Sequence, residues 1–181
     1  MKLPRILSLA TIVAAAFAIG ATPKNPATMR YETATLAGGC FWSLQEELRD
    51  IPGVVKTTVG YTGGNVPNPT YALVSAGKTG HAEAVQVIFD PSKLSYEQLL
   101  TDFLVGHIPQ SATASHRPAI FYHDEAQRQI AERVEMQIVQ SGRLKNPVTA
   151  EIVAAKTFYP TKSWHQDYFR KNPAPKSCSL F

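Results

Sequence analysis

Short segments of β-strand character alternate with segments of helical character from residue 31 onwards, and this alternation limits the folds open to the chain. β-branched and aromatic residues predict strands at 31–37, 54–61, 83–89, 119–122 and 148–154. Apolar residues three and four positions apart predict helices at 41–49, 96–105, 124–140 and 164–170. No internal repeat is visible, and 181 residues make one domain of ordinary size. The pattern predicts an α+β fold, a single two-layer α/β sandwich.

The N-terminal segment differs from the rest of the chain. Lys2 and Arg5 open a run of apolar and small residues at 6–21, which is typical of a secretory signal peptide. The run is short for a transmembrane helix, which needs about 20 residues, although an uncleaved anchor is the alternative. We therefore expect an exported protein, periplasmic or secreted. The expected division of the chain is a signal peptide at 1–21, a linker at 22–30 and a folded domain with an irregular C-terminal tail at 31–181.

The net charge and the distribution of lysine and arginine limit the binding partners that we expect. The formal net charge of the chain is +4, and loss of Lys2 and Arg5 with the signal peptide lowers it to +2. The sequence holds no cluster of lysine and arginine of the kind that binds nucleic acid. We expect a monomer with no nucleic-acid partner and no stable membrane insertion after signal cleavage.

The chain has two cysteines, Cys40 and Cys178. Export places them in an oxidising compartment, where counting alone favours a structural disulfide. Cys40, however, follows Gly38-Gly39 and directly precedes a predicted helix. The free N–H groups of a first helical turn stabilise a thiolate, which favours a reactive cysteine there. A buried core cluster of Cys40 with the two aromatic residues after it is the alternative.

The segment Gly39-Cys40-Phe41-Trp42 resembles the active-site signature of the A-class peptide methionine sulfoxide reductases. Other segments resemble the same family in the same order and at matching spacing: Val59-Gly60-Tyr61-Thr62-Gly63-Gly64, Pro67-Asn68-Pro69-Thr70-Tyr71, Thr79-Gly80-His81-Ala82-Glu83-Ala84-Val85, Phe89-Asp90-Pro91, Ser95-Tyr96-Glu97, Ala119-Ile120-Phe121-Tyr122, Phe158-Tyr159-Pro160 and His165-Gln166-Asp167-Tyr168. With this resemblance, the expected sheet is mixed and ferredoxin-like. The implied activity is thiol-dependent reduction of methionine S-sulfoxide, free or in proteins.

The resemblance assigns roles to five residues. It implies that Cys40 is the nucleophile, that Glu83 donates a proton to the sulfoxide oxygen, and that Tyr71 hydrogen-bonds that oxygen. Phe41 and Trp42 match the pocket for the S-methyl group, and methyl and sulfur groups both favour aromatic contacts. Residue by residue, Glu83 could instead be a solvated carboxylate at a strand end, and Tyr71 could pack on the surface of a loop.

The strand pattern bears on Glu83. Along 83–89, Glu83 shares one face with the apolar residues Val85, Val87 and Phe89. A carboxyl group buried on such a face is favoured in its neutral form, which can donate a proton.

Recycling is also implied by the resemblance. Cys178 resembles the family's C-terminal resolving cysteine, although the usual glycine and aromatic residue before it are missing. The sulfenic acid on Cys40 would be resolved by Cys178, and the disulfide reduced by a thioredoxin-like donor. A static Cys40–Cys178 disulfide is the alternative. We expect no metal and no organic cofactor, because the five histidines do not fall in metal-ligand spacing.

The stretch 108–118 departs from the family pattern. It is several residues shorter, and it contains neither the Asp nor the Tyr that line the family's site. His116 stands where that tyrosine would fall, so it is either a substitute hydrogen-bond donor to the substrate oxygen or an exposed loop residue. The alternative functions are a catalytically impaired paralogue that binds methionine-containing or oxidised peptides, and a small secreted protein stapled by one disulfide.

Overall fold

The computed structural model describes residues 30–107, 113–143 and 150–173. The predicted signal peptide, the predicted linker except Arg30, and Cys178 lie outside the described residues. Along the described stretches, the strands are β1 (Glu32–Ala37), β2 (Val54–Thr62), β3 (Ala82–Phe89), β4 (Ala119–Tyr122), β5 (Glu151–Ala154) and β6 (Tyr159–Pro160). The helices are α1 (Phe41–Arg49), α2 (Tyr71–Ser75), α3 (Tyr96–Gly106), α4 (Glu125–Gln140) and α5 (Tyr168–Lys171).

The strands form one six-stranded sheet in the order β5-β4-β1-β3-β2-β6. The pairings of β1 with β3 and β4, and of β2 with β3 and β6, are antiparallel, whereas β4 and β5 are parallel. The four central strands follow the connection β1-α1-β2-β3-α3-β4, which is the ferredoxin-like arrangement. The predicted α+β fold with a mixed, ferredoxin-like sheet is therefore confirmed.

The helices cover one face of this sheet. α1 packs against β2 and β3, α4 packs against β4 and β5, and α3 packs against α4. On β3, Val85, Val87 and Phe89 point into the large core beneath the helices, while Ala82 and Ala84 join a smaller cluster on the opposite face. Because side chains alternate along a strand, Glu83 points to the helix-covered side.

Apart from one-residue shifts in the bounds, three described elements differ from the prediction. No helix or strand was predicted at 63–80, but this stretch contains the helix α2, and the two-residue strand β6 was not expected either. The helix predicted at 164–170 is confined to Tyr168–Lys171, because Asp167 has a left-handed φ of 57°. In the parts of the chain that the structure describes, no helix has the length and apolarity needed to span a bilayer.

Candidate active site

Cys40 lies in the turn between β1 and α1 and is the N-cap residue of α1. Gly39 has a φ of 83°, a conformation that favours glycine. A Cβ on Gly38 would lie 2.8 Å from the carbonyl oxygen of His107, so the turn has no room for a side chain there. The two glycines thereby place Cys40 at the positively polarised end of α1. Its sulfur is disulfide-bonded in this structure, and Cys178 lies outside the described residues.

Glu83 is the second residue of β3, lies beside this helix end and is 1% exposed. Its Oε2 accepts a hydrogen bond of 3.3 Å from the backbone N–H of Phe41, the residue after Cys40. Nε2 of His116 lies 3.3 Å from the same oxygen. The backbone N–H of Glu83 donates to the carbonyl of Ser115 at 2.8 Å. The structure therefore brings the predicted nucleophile, the predicted acid and the short segment around His116 together.

The His116 side chain bridges solvent and the buried carboxyl group. It is 38% exposed, and its Nδ1 lies 3.2 Å from Oγ1 of Thr113. The hydrogen bond to Glu83 raises the pKa of His116 above its ordinary value of 6.5, against an opposing effect of burial. The imidazolium form is thus favoured in this contact.

Five rings from α1, α2 and the region of α5 form an aromatic cluster next to Cys40: Phe41, Trp42, Tyr71, His165 and Tyr168. The ring of Trp42 stacks on Tyr168 with centroids 4.0 Å apart. Tyr71 lies 4.8 Å from His165 and 6.1 Å from Trp42, centroid to centroid. The predicted pocket residues therefore meet, and they form an apolar wall beside the helix end that carries Cys40.

Tyr71 is the first residue of α2 and is half-buried. Oγ1 of Thr70 caps this helix by accepting a hydrogen bond from the N–H of Leu73 at 3.4 Å. Burial, and secondarily the charge of Glu83, raise the pKa of Tyr71 above its ordinary value of 10.0. The phenol therefore keeps its proton at neutral pH and can donate a hydrogen bond.

His165 and Tyr168 were not expected in the site, although the motif at 165–168 was a sequence signal for them. His165 is 1% exposed, and burial lowers its pKa to about 4, so the imidazole is neutral at ordinary pH. Tyr61 is a third addition, because it pairs with Glu83 across β2 and β3. Burial raises the pKa of Tyr61 to about 12, although its hydroxyl is 3.1 Å from Thr161 Oγ1.

Arg117 fixes the described part of the short segment. Its guanidinium donates to the carbonyl oxygens of Ala114 at 2.7 Å and Gly80 at 3.1 Å. It also lies 3.2 Å from a carboxylate oxygen of Glu151 on β5. These contacts tie the segment to the start of β3 and hold His116 over Glu83. Residues 108–112 lie outside the described part.

A metal site in 30–107, 113–143 or 150–173 would need several histidine, cysteine or carboxylate side chains close together. Within these stretches, no group of three or more histidine, cysteine, aspartate or glutamate side chains is placed to hold a metal ion. The chemistry that the site offers is thus that of a cysteine, a carboxyl group, a phenol and an imidazole.

The model of the family "Peptide methionine sulfoxide reductase" matches residues 32–180. The chain belongs to this family. The matched range contains both cysteines, Glu83 and the aromatic cluster, so the site described above lies within the part of the chain that matches the family.

Two relatives show how far the similarity to other reductases extends. Peptide methionine sulfoxide reductase MsrA of Listeria innocua is 46% identical over 150 residues, which cover 79% of this chain and 85% of the relative. The MsrA/MsrB protein of Vibrio cholerae is 46% identical over 149 residues, which cover 78% of this chain and 39% of the relative. The chain thus spans most of the first protein and about two fifths of the second.

Solved structures of reductases share the fold. Methionine sulfoxide reductase A of Corynebacterium diphtheriae is 29% identical, with a TM-score of 0.71 and coverage of 82% of this chain and 78% of that one. Reduced Mxr1 of Saccharomyces cerevisiae is 26% identical, with a TM-score of 0.70 and coverage of 86% and 92% respectively. Mxr1 has also been solved in complex with Trx2.

Proposed function

We propose that this chain is a peptide-methionine (S)-S-oxide reductase that uses Cys40 as its nucleophile. The observation that carries the proposal is the meeting of Cys40 and Glu83 at the first turn of α1, where Glu83 Oε2 lies 3.3 Å from the Phe41 nitrogen. Membership of the reductase family supports the same reaction. The substrate is methionine S-sulfoxide, free or within oxidised proteins, and the reaction needs no cofactor.

The first step transfers the sulfoxide oxygen to the enzyme. The Cys40 thiolate attacks the sulfur of the substrate while Glu83 gives a proton to the oxygen. A sulfur–oxygen bond forms on Cys40 and the sulfur–oxygen bond of the substrate breaks. Methionine leaves as a thioether that has gained two electrons, and Cys40 becomes a sulfenic acid that has lost two.

The aromatic cluster orients the substrate in this step. Phe41 and Trp42 hold the S-methyl group, since thioether and methyl groups pack well against aromatic rings. Tyr71 donates a hydrogen bond to the sulfoxide oxygen from its protonated phenol. The sequence also suggested an oxygen contact from His116, whose Nε2 in this structure is directed to Glu83.

The second step restores the enzyme. The Cys178 thiolate attacks the Cys40 sulfur, a disulfide forms, and the oxygen leaves as water after taking up a second proton. A dithiol donor of the thioredoxin class then reduces the disulfide. The yeast relative Mxr1, which has been solved with Trx2, supports a donor of this class. We propose that the reductase works as a monomer.

Export is a separate part of the proposal. The positive start and apolar run at 1–21 support secretion across a membrane, with cleavage near residue 21. The domain at 31–181 would then act in the periplasm or outside the cell. Mass spectrometry of the protein recovered from outside the cytoplasm tests this, and a chain that retains residue 1 would contradict it.

Turnover on separated sulfoxide epimers tests the reaction. With dithiothreitol as the reductant, we expect the protein to consume the S epimer and to leave the R epimer unchanged. The Cys40→Ser variant should fall below about one hundredth of the wild-type rate, because a hydroxyl is a far weaker nucleophile than a thiolate. A folded wild-type protein that binds oxidised peptides without turnover would instead identify the binding-only paralogue.

A further inference from the structure

Glu83 is a buried acid with a partner on the solvent side. Its side chain is 2% exposed, whereas that of His116, which lies 3.3 Å away, is 38% exposed. The second contact of the same Oε2 is the Phe41 N–H, on the side of the nucleophile. The carboxyl group thus lies between the helix end that carries Cys40 and a partly exposed imidazole.

The proposed reaction gives this arrangement a use. One proton is needed when the oxygen is transferred to Cys40, and another when that oxygen leaves as water. Glu83 holds one proton at most, so it must be recharged within each cycle. Because Glu83 is buried, bulk water has little access to it.

We propose that His116 is a proton relay to Glu83, passing a proton from solvent through its Nε2 to Glu83 Oε2. The inference rests on the proposed function and deepens it. The imidazolium gives its Nε2 proton to the carboxylate, Glu83 gives that proton to the oxygen, and His116 regains a proton from water. No oxidant or reductant enters these transfers. His116 acts through Glu83 and is therefore a positioning residue, not a group that touches the substrate.

Local contacts prepare His116 for this role. Its Nδ1 lies 3.2 Å from Thr113 Oγ1, which orients the ring with Nε2 towards Glu83. Its backbone N–H donates to the carbonyl of Thr113 at 3.1 Å. The bond to Glu83 is the main cause that raises the pKa of His116, and it favours the proton-bearing form of the ring.

The other ionisable groups around His116 and Glu83 take no part in the relay. Among the described residues, Glu83 is the charged side chain within ion-pair distance of His116. Arg117, the next residue, directs its charge to Glu151 on β5. From β2 and α2, Tyr61 and Tyr71 face Glu83, and both have a raised pKa and stay neutral.

The pH dependence of a single turnover tests the relay. In the wild type, the rate should fall as pH rises through the pKa of His116, because the imidazolium is lost. In His116→Gln, this inflection should disappear, and the rate near pH 6.5 should fall about tenfold. Adding imidazole buffer should restore part of the rate in proportion to its acid form, which the loss of a merely structural side chain would not allow.

His123→Gln is the matched control. His123 is an exposed histidine, and its Nε2 lies 2.9 Å from Thr35 Oγ1 and not near Glu83. This variant should keep the wild-type rate and pH profile. His116→Tyr guards against misfolding of His116→Gln: its hydroxyl can still reach the carboxyl group but does not titrate near neutrality, so the inflection should be absent here too.

The outcomes distinguish failure of the proposed relay from failure of the proposed reductase function. If wild-type protein reduces the S epimer and His116→Gln retains both the rate and the inflection, the relay is wrong and the proposed function stands. If the wild type has no reductase activity, the proposed function itself has failed. NMR gives a readout without turnover: Glu83→Gln should lower the pKa of His116, and an unchanged value would overturn the coupling on which the relay depends.

Discussion

At the residue scale, one oxygen atom connects the parts of the site. Oε2 of Glu83 accepts from the Phe41 N–H and lies 3.3 Å from His116 Nε2. A buried carboxyl group with a donor on each side is held in one orientation, and such preorganisation lowers the cost of proton transfer. The position of the acid therefore depends on both the helix end and the short segment.

A variant that cannot transfer a carboxyl proton at position 83 but keeps the shape of the side chain should isolate the role of Glu83. We expect Glu83→Gln to slow methionine formation in a single turnover by about 10²-fold or more, the usual contribution of a positioned acid. The amide oxygen can still accept from the Phe41 N–H, so substrate affinity should change little. Rapid-quench measurement at neutral pH gives the rate, and a wild-type value would remove Glu83 from the mechanism.

Glu135→Gln is the control for that variant. Glu135 is a half-buried glutamate on α4 that also accepts one backbone N–H, from Ala150 at 2.8 Å. This substitution makes the same chemical change far from Cys40, and the single-turnover rate should stay at the wild-type value.

The sequence predicted which side chains belong to the site better than it predicted the contacts between them. Cys40, Phe41 and Trp42 lie in one motif, and the alternation along β3 placed Glu83 on the core side. The contact between Glu83 and His116 could not be predicted, because it depends on where residues 113–118 cross the start of β3. His165 was overlooked for a related reason: its burial comes from rings that are distant in sequence.

At the element scale, the short helix α2 positions Tyr71 and depends on its cap. Thr70→Ala removes the Oγ1 acceptor for the Leu73 N–H and should cost about 0.5–1 kcal/mol of local stability. The loosened phenol should lower kcat/KM by roughly fivefold, equivalent to about 1 kcal/mol. Thr70→Ser keeps the acceptor and should preserve activity. Steady-state kinetics on the S epimer provide the measurement.

Ser95→Ala separates an active-site effect from a general loss of stability. Ser95 caps α3 in a reciprocal pair with Gln98, beyond the end of β3 opposite to Glu83. Its loss should lower the free energy of unfolding by about 1 kcal/mol while kcat/KM stays unchanged. Equal kinetic losses in Thr70→Ala and Ser95→Ala would show that α2 has no special role.

Elements with a clear local signal were predicted at their observed positions. α1 and β4 have the predicted bounds, and α4 begins one residue later because Asp124 is its N-cap. α2 was missed because five residues between proline and glycine turns give too short a periodic pattern. β6 consists of two residues, and it is a strand because it pairs with β2, which is distant in sequence.

At the scale of the whole molecule, the proposed recycling step needs Cys178, in the C-terminal segment, to react with Cys40 in the site. The Cys178→Ser variant should form about one methionine per enzyme and then stop with a thioredoxin-type donor, because nothing resolves the sulfenic acid. Dithiothreitol should restore turnover, since it attacks the sulfenic acid directly. Product per enzyme, counted with each reductant, is the measurement. Undiminished turnover with the protein donor would exclude Cys178 as the resolving thiol.

The stacking of Tyr168 on Trp42 fixes the chain at residue 168 near the proposed nucleophile. Trp42 is two positions after Cys40, and Cys178 is ten positions after Tyr168. Even fully extended, such a tether reaches only about 35 Å. The thiol of Cys178 therefore has an effective concentration of roughly millimolar order at the sulfenic acid of Cys40. A small thiol from solution must exceed that concentration to intercept the intermediate, so in the proposed mechanism each oxidation of Cys40 is resolved within the same molecule.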